Sequence, residues 1–189
     1  MSVIIVDTET TGLPFTKPPY YEFPNPRNLD RYEKARLVEV GWRILNDQGT
    51  LLEENSYIIK PAGGYDPEEG GAFEVHKISR AEAEKNGRPI REVLEIFLKK
   101  VREASLFVAH NVEFDRSILL SEIFRAGLDG TPLRMIKTHC TMLKGMKNPR
   151  SKYPKLVELY EAVTERKALE AHRVEADVRM AEAVYLSQR

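Results

Sequence analysis

Hydrophobic positions along the chain change period several times, and each change marks an element. Ser2 to Val6 is a short apolar run rich in β-branched residues, the signature of a strand covered on both faces. Thr10-Thr11-Gly12 turns the chain after it. Leu37 to Leu45 reads as a second strand and Asn46-Asp47-Gln48-Gly49 as a turn. Glu54 to Lys60, with Tyr57, Ile58 and Ile59, returns as a third strand by a hairpin. Helical spacing then takes over. Ser79-x-x-Glu82 is a capping box flanked by Ile78 and Ala83 at the staple positions, opening a short helix. Pro89 stands where a first helical residue is expected, and Ile90, Val93, Leu94, Phe97 and Val101 recur at amphipathic spacing, predicting a helix from Pro89 to Ala104. Leu106 to Ala109 is a further strand, followed by a helix from about Val112 to Arg125 that Gly127 closes. Arg134 to Thr138 suits a short strand before a helix near Thr141, and a terminal helix runs from about Arg173 to Leu186. Strands first, then helix alternating with strand, predict an α/β domain with a mixed β-sheet flanked by helices.

One segment interrupts this order. Leu13 to Arg36 contains Pro14, Pro18, Pro19, Pro24 and Pro26 together with Phe15, Tyr20, Tyr21, Phe23 and Tyr32. That is too much proline for a regular element and too many rings for a disordered tail. It reads as an ordered insertion, residues 14–35, between the first two strands.

The 189 residues and 42% apolar content fit one domain over 1–189. Cys140 is the only cysteine, so no internal disulfide is possible and a reducing, cytoplasmic setting is expected. The first apolar run is cut off by Asp7 and has no basic flank, and no run approaches the roughly 18 residues of a membrane span. No membrane partner is expected. The net charge is zero, yet Thr131 to Lys155 carries Arg134, Lys137, Lys144, Lys147, Arg150, Lys152 and Lys155 without a single acid. Segregation of this kind creates a local field that attracts anions on a neutral protein, and Lys147, Arg150 and Lys152 are the candidates for contact with a substrate backbone.

The candidate chemistry lies in acids placed where apolar residues belong. Asp7 and Glu9, two apart at the end of the first strand, project from one face if the strand continues. Asp115 falls in the first turn of the helix that Asn111 is placed to cap, with Ile118 and Leu119 beside it on the core side. Asp177 has Met180, Ala181 and Val184 at i+3, i+4 and i+7, so the buried stripe of the last helix carries a carboxylate. Glu175 falls off that stripe and reads as a solvated acid. His172, five positions before Asp177, is about 140° away on a continuous helix, and shares a site with it only from the loop before the helix. Four carboxylates from the ends of two strands and the core faces of two helices repel one another unless cations neutralise them. An all-oxygen donor set selects Mg²⁺ or Mn²⁺, and two such ions suit phosphoryl transfer to water.

Taken in order, Asp7-x-Glu9-Thr10-Thr11-Gly12, His110-Asn111-x-x-Phe114-Asp115 and His172-x-x-x-x-Asp177 resemble the three motifs of the DEDDh 3′-5′ exonucleases, the group that includes the proofreading subunit of bacterial replicative DNA polymerase. Ala35 to Gly41 and Val75-His76-x-Ile78 stand at further family-like positions. The resemblance implies a ribonuclease H-like fold and metal-dependent release of nucleoside 5′-monophosphates from the 3′ end of DNA or RNA. It implies Asp7, Glu9, Asp115 and Asp177 as ligands of two divalent cations and His172 as the general base. Thr10, Leu13, His76 and Asn111 would meet the substrate, Leu13 by packing on the terminal bases. The partner would be nucleic acid with a free, single-stranded 3′ end, with a polymerase or another replication or repair protein as a further candidate. The short stretch after Asp177 favours a stand-alone or surface-docked enzyme. The sequence departs from the pattern at Cys140-Thr141, where the family often has Asp before Thr, and in the length of the 14–35 insertion. Two alternatives share single features: a haloacid dehalogenase-like phosphatase, whose later Gly-Asp segment is missing here, and a non-catalytic nucleic-acid or polymerase-binding module on the same fold.

Overall fold

In the computed structural model, which describes residues 2–16, 22–62, 65–148, 152–168 and 173–189, the N-terminal apolar run is only the first half of strand β1 (Val3–Thr10). The strand outlasts its apolar residues because it stays paired along its whole length with β2 (Leu37–Leu45), from Val3 opposite Leu45 to Thr10 opposite Leu37. Antiparallel β3 (Leu51–Ile58) follows across the turn, beginning earlier than the apolar pattern indicates. Two short helices, α1 (Phe73–His76) and α2 (Arg80–Asn86), come next, and the Ser79 hydroxyl caps α2 by accepting from the Glu82 amide. Helix α3 (Ile90–Glu103) has Pro89 as its N-cap and not its first residue.

β4 (Leu106–Ala109) and β5 (Lys137–Cys140) add in parallel on the other side of β1, giving the order β3-β2-β1-β4-β5. Helix α4 (Val112–Arg125) links them, followed by α5 (Thr131–Met135), which occupies part of the stretch expected as a strand from Arg134 to Thr138. Pro132 in the first turn of α5 favours the helix, so the strand starts only at Lys137. Helices α6 (Thr141–Lys144), α7 (Leu156–Thr164) and α8 (Val174–Ser187) complete the chain. Among the described residues, no helix is long and apolar enough to cross a membrane.

Alternation along β1 sorts the core into two layers. Ile4 and Val6 face one side, packed with Trp42, Phe97, Phe107, Ile118 and Leu119 from the strands, α3 and α4. Val3 and Ile5 face the other, against Val178, Ala181 and Tyr185 of α8. Within the insertion a 3₁₀ turn, Leu29–Tyr32, buries Tyr32, whose hydroxyl donates to the Pro24 carbonyl. The insertion is tied down at its end by a buried ion pair, Arg36 Nε to Glu122 at 2.6 Å.

Candidate active site

The same alternation places the acids. Asp7 and Glu9 share the parity of Val3 and Ile5, so both project toward α8, where the first turn presents Asp177. One carboxylate oxygen from each of these three residues lies within 4.8 Å of the others. With Asp115 on α4, the four carboxylates come from one strand and two helices, a correction to the expectation of two strand ends and two helices. Asp115 arrives from the opposite layer: Thr8, between the two acids and facing α4, donates its hydroxyl to Asp115 Oδ1 at 2.8 Å. Asp115 is 2% exposed, and its buried Oδ2 has no hydrogen-bond partner among the described residues.

Crowding and burial leave Asp7, Glu9 and Asp115 far from their ordinary titration. Asp7 is held well above the usual carboxylate range, first by burial and then by the charges of Asp115, Asp177, Glu9 and Glu39. Burial and the same neighbours push Glu9 up to about 8. Burial raises Asp115 to about 7, against the pull of its Thr8 hydrogen bond. A cluster of carboxylates, half-buried at Asp7 and Glu9 and buried at Asp115 and Asp177, is the donor set of a hard divalent cation, and the residues fit that group.

Glycine at position 41 lets the two sides meet. Gly41 pairs with Asp7 across the β1–β2 ladder, and a Cβ there would lie 2.2 Å from Val174 Cγ1 at the start of α8. Gly41→Ala is therefore expected to cost about 1–3 kcal/mol through overpacking. It should lower activity further than that loss of stability explains, because Asp177 moves with the helix. Denaturation and turnover measured on the same preparation check this.

Other residues that sequence reasoning did not assign shape the site. Glu39, cross-strand from Glu9, is 3% exposed and pairs with the Arg173 guanidinium at 3.5 Å. Burial raises its carboxyl, opposed by Arg173 and the Val174 backbone. His110 faces the Thr141 hydroxyl through Nδ1 at 3.0 Å and the Pro154 carbonyl through Nε2 at 3.1 Å. The carbonyl requires the proton on Nε2, and burial favours this neutral ring by lowering its pKa. His110 thus ties the end of β4 to α6 and to the loop before α7. Its place in the second motif was the available signal; its partners, distant in sequence, were not visible.

The predicted substrate residues divide. Leu13 is 73% exposed beside the carboxylates' turn, and Phe15, 63% exposed, lies under the Arg31 guanidinium at 4.8 Å. Thr10 is buried and donates its hydroxyl to the Gly12 carbonyl at 2.7 Å, holding the turn and not a ligand. His76 is fully buried, with Nδ1 accepting from the Ile78 amide at 3.0 Å, so direct substrate contact by this ring is corrected to a structural role. Asn111 takes the left-handed conformation, φ 68°, with no side-chain cap; asparagine tolerates that geometry, and the expected capping bond is absent. Lys147 and Lys152 are exposed. Phe23 packs on Phe114 at 5.8 Å, pinning the insertion to α4. Glu175 is exposed, as expected, and accepts from the Ser56 hydroxyl at 2.6 Å. Arg150, His172, Tyr20 and Tyr21 lie outside the described residues.

Comparison with known proteins gives one family and one fold. The RNase T family model, described as exonuclease, matches residues 4–185. Among solved structures, Escherichia coli exonuclease I in complex with a dT13 oligonucleotide superposes with a TM-score of 0.74 at 15% identity, covering 99% of this chain and 40% of that one. The complex of exonuclease I with dA16 gives 0.70 at 16% identity, again over 99% and 40%. The product-bound structure of exonuclease I gives 0.69 at 16%, over 97% and 42%. This chain therefore spans about two fifths of the length of those proteins. A search of curated proteins finds no matching sequence.

Proposed function

The chain belongs to the RNase T exonuclease family of DEDD-type 3′-5′ exonucleases, and from that premise we propose that it removes nucleoside 5′-monophosphates from the 3′ end of single-stranded DNA. The observation that carries the proposal is the meeting of Asp7, Glu9 and Asp177 on one face of β1, with the orphaned oxygen of Asp115 behind them. These four carboxylates would hold two divalent cations, Mg²⁺ or Mn²⁺ by the hardness of the donors. When bound, such ions supply a water nucleophile at neutral pH and stabilise charge on the phosphate.

The chain's own residues do the rest. Thr8 fixes Asp115 in one orientation by its hydroxyl. Leu13 and Phe15, exposed on the segment after β1, offer apolar surface to the terminal base, and the turn held by Thr10 sets where Leu13 stands. His172 would accept the proton of the attacking water at an imidazole nitrogen, a role argued from its place before α8, whose first residue is Val174. The exonuclease I complexes with dT13 and dA16 support single-stranded DNA as the substrate class through the shared fold. The lone cysteine and a nucleic-acid substrate support a cytoplasmic setting and a replication or repair partner, such as a polymerase.

The test is digestion of 5′-labelled single-stranded DNA, duplex DNA and RNA with Mg²⁺, with Mn²⁺ and with excess EDTA. Stepwise shortening from the 3′ end and release of 5′-mononucleotides, both abolished by EDTA, are expected. Internal cleavage, or undiminished activity in EDTA, overturns the proposal.

A further inference from the structure

A groove along the flank of α4 is unused by the chemistry above. Two adjoining cavities, about 790 Å³ and about 400 Å³, share Phe23, Pro26, Leu120 and Arg134 and so form one trough. Its floor is α4 from Val112 to Phe124, about 18 Å at the helical rise. One wall is the Glu22–Arg27 part of the insertion, fixed by Phe23 on Phe114 and by the Arg27 guanidinium 4.2 Å from the Phe124 ring centroid. The other wall carries Arg134, Leu143 and Tyr153, all from the acid-free basic stretch between Thr131 and Lys155.

Charge, chemistry and position identify one occupant. Arg27, Arg116 and Arg134 line the trough, and Tyr153, 52% exposed, lines it as well. Glu22 and Glu113 also line the trough, and Glu113 is engaged by Arg116 at 3.5 Å. Asn111, at one mouth, stands one helical turn before Asp115, a separation of about 6 Å. A cationic trough with an accessible ring is the combination that binds single strands without reading sequence. We propose that this groove holds the nucleotides on the 5′ side of the reacting one, with Tyr153 stacked on a base and Arg134 against the backbone. Its length accommodates about five nucleotides at a stacked rise of about 3.4 Å. The inference rests on the exonuclease reading and adds a path for the strand, walled on one side by the 14–35 insertion.

Binding without turnover tests it. Anisotropy of 5′-labelled dT15 in EDTA should show Tyr153→Ala binding about 5-fold or more weakly than the parent protein, with Tyr153→Phe close to the parent. Arg134→Ala should shallow the log–log salt dependence by about 0.7. Both side chains are exposed, so unchanged melting temperatures are expected and verify folding. Equal affinity of Tyr153→Ala and parent, or an unaltered salt slope for Arg134→Ala, overturns the groove. Hydrolysis of thymidine 5′-(p-nitrophenyl phosphate) with Mn²⁺ reports on the metal site alone. Both variants should keep it, and its absence in the parent protein counts against the exonuclease reading and not against the groove.

Discussion

Asp7→Asn is expected to abolish turnover while making the metal-free protein more stable. The loss should reach roughly 10³-fold or more, since ligand removal forfeits several kcal/mol of transition-state charge stabilisation. The gain in stability has the opposite electrostatic origin. Asp7 is crowded by Asp115, Asp177, Glu9 and Glu39, and removing one charge relieves the others. Glu9 keeps its proton up to about 8 and Asp115 up to about 7 in the folded chain, whereas unfolded carboxyls lose theirs near 4. Between those limits the native state binds more protons than the unfolded one, so stability of the metal-free protein falls as pH rises from about 4 to about 8. Asp7→Asn should flatten that fall and raise Tm at pH 8 by about 2–4 °C for each kcal/mol of repulsion relieved. Divalent cations should stabilise the parent protein more at pH 8 than at pH 6, because protonated carboxyls cannot act as ligands. Melting curves across pH with Mg²⁺ or EDTA, beside a nuclease assay, measure all of this. Undiminished turnover in Asp7→Asn, or a parent protein whose metal-free stability rises between pH 5 and 8, would sink the cluster as a metal site.

The acids were legible in the sequence because each violates its local pattern. Asp177 replaces an apolar residue on a stripe that Met180, Ala181 and Val184 complete, and all four side chains are buried. Less legible was anything decided across the sheet. The apolar run stops at Val6 because polar and acidic side chains take over along β1, with Thr8 and Thr10 still buried, and the strand continues to Thr10 on hydrogen bonds to β2, which periodicity does not report. Helix α7 carries apolar residues at helical spacing, Leu156, Leu159, Tyr160 and Val163, but is short and buries none of them completely, and α1 is too short to have a stripe. His76 illustrates the converse failure. A histidine in a family-like position reads as a binding residue, yet its ring is sealed in the interior with Ile78 on Nδ1. Roles that depend on partners far along the chain, such as Thr8 on Asp115, His110 on Pro154 and Glu39 on Arg173, follow from topology and emerge only once the strands are ordered.

His172→Ala should retain metal binding and substrate affinity but lose roughly 10²–10⁴ in rate, the contribution of a general base. Arg173 is the N-cap of α8, with extended backbone, and its guanidinium reaches the buried Glu39 and the Glu82 carboxylate. These pairs fix the chain directly after His172, one helical turn ahead of Asp177. As the proposed base, His172 accepts a proton only as the neutral imidazole, and carboxylates brought close to it would favour the protonated ring when metal is absent. Bound divalent cations cancel that negative field. With metal present, kcat should therefore rise with pH through the range in which an imidazole deprotonates, then level off. In His172→Ala that rise should vanish, leaving a low rate with little dependence on pH from about 6 to 8. Isothermal titration of Mn²⁺ into both proteins separates loss of base from loss of metal, since the ring is not counted among the ligands. A variant that keeps the parent's rate and pH profile would assign proton removal to another group, and a variant that no longer binds Mn²⁺ would make His172 a ligand.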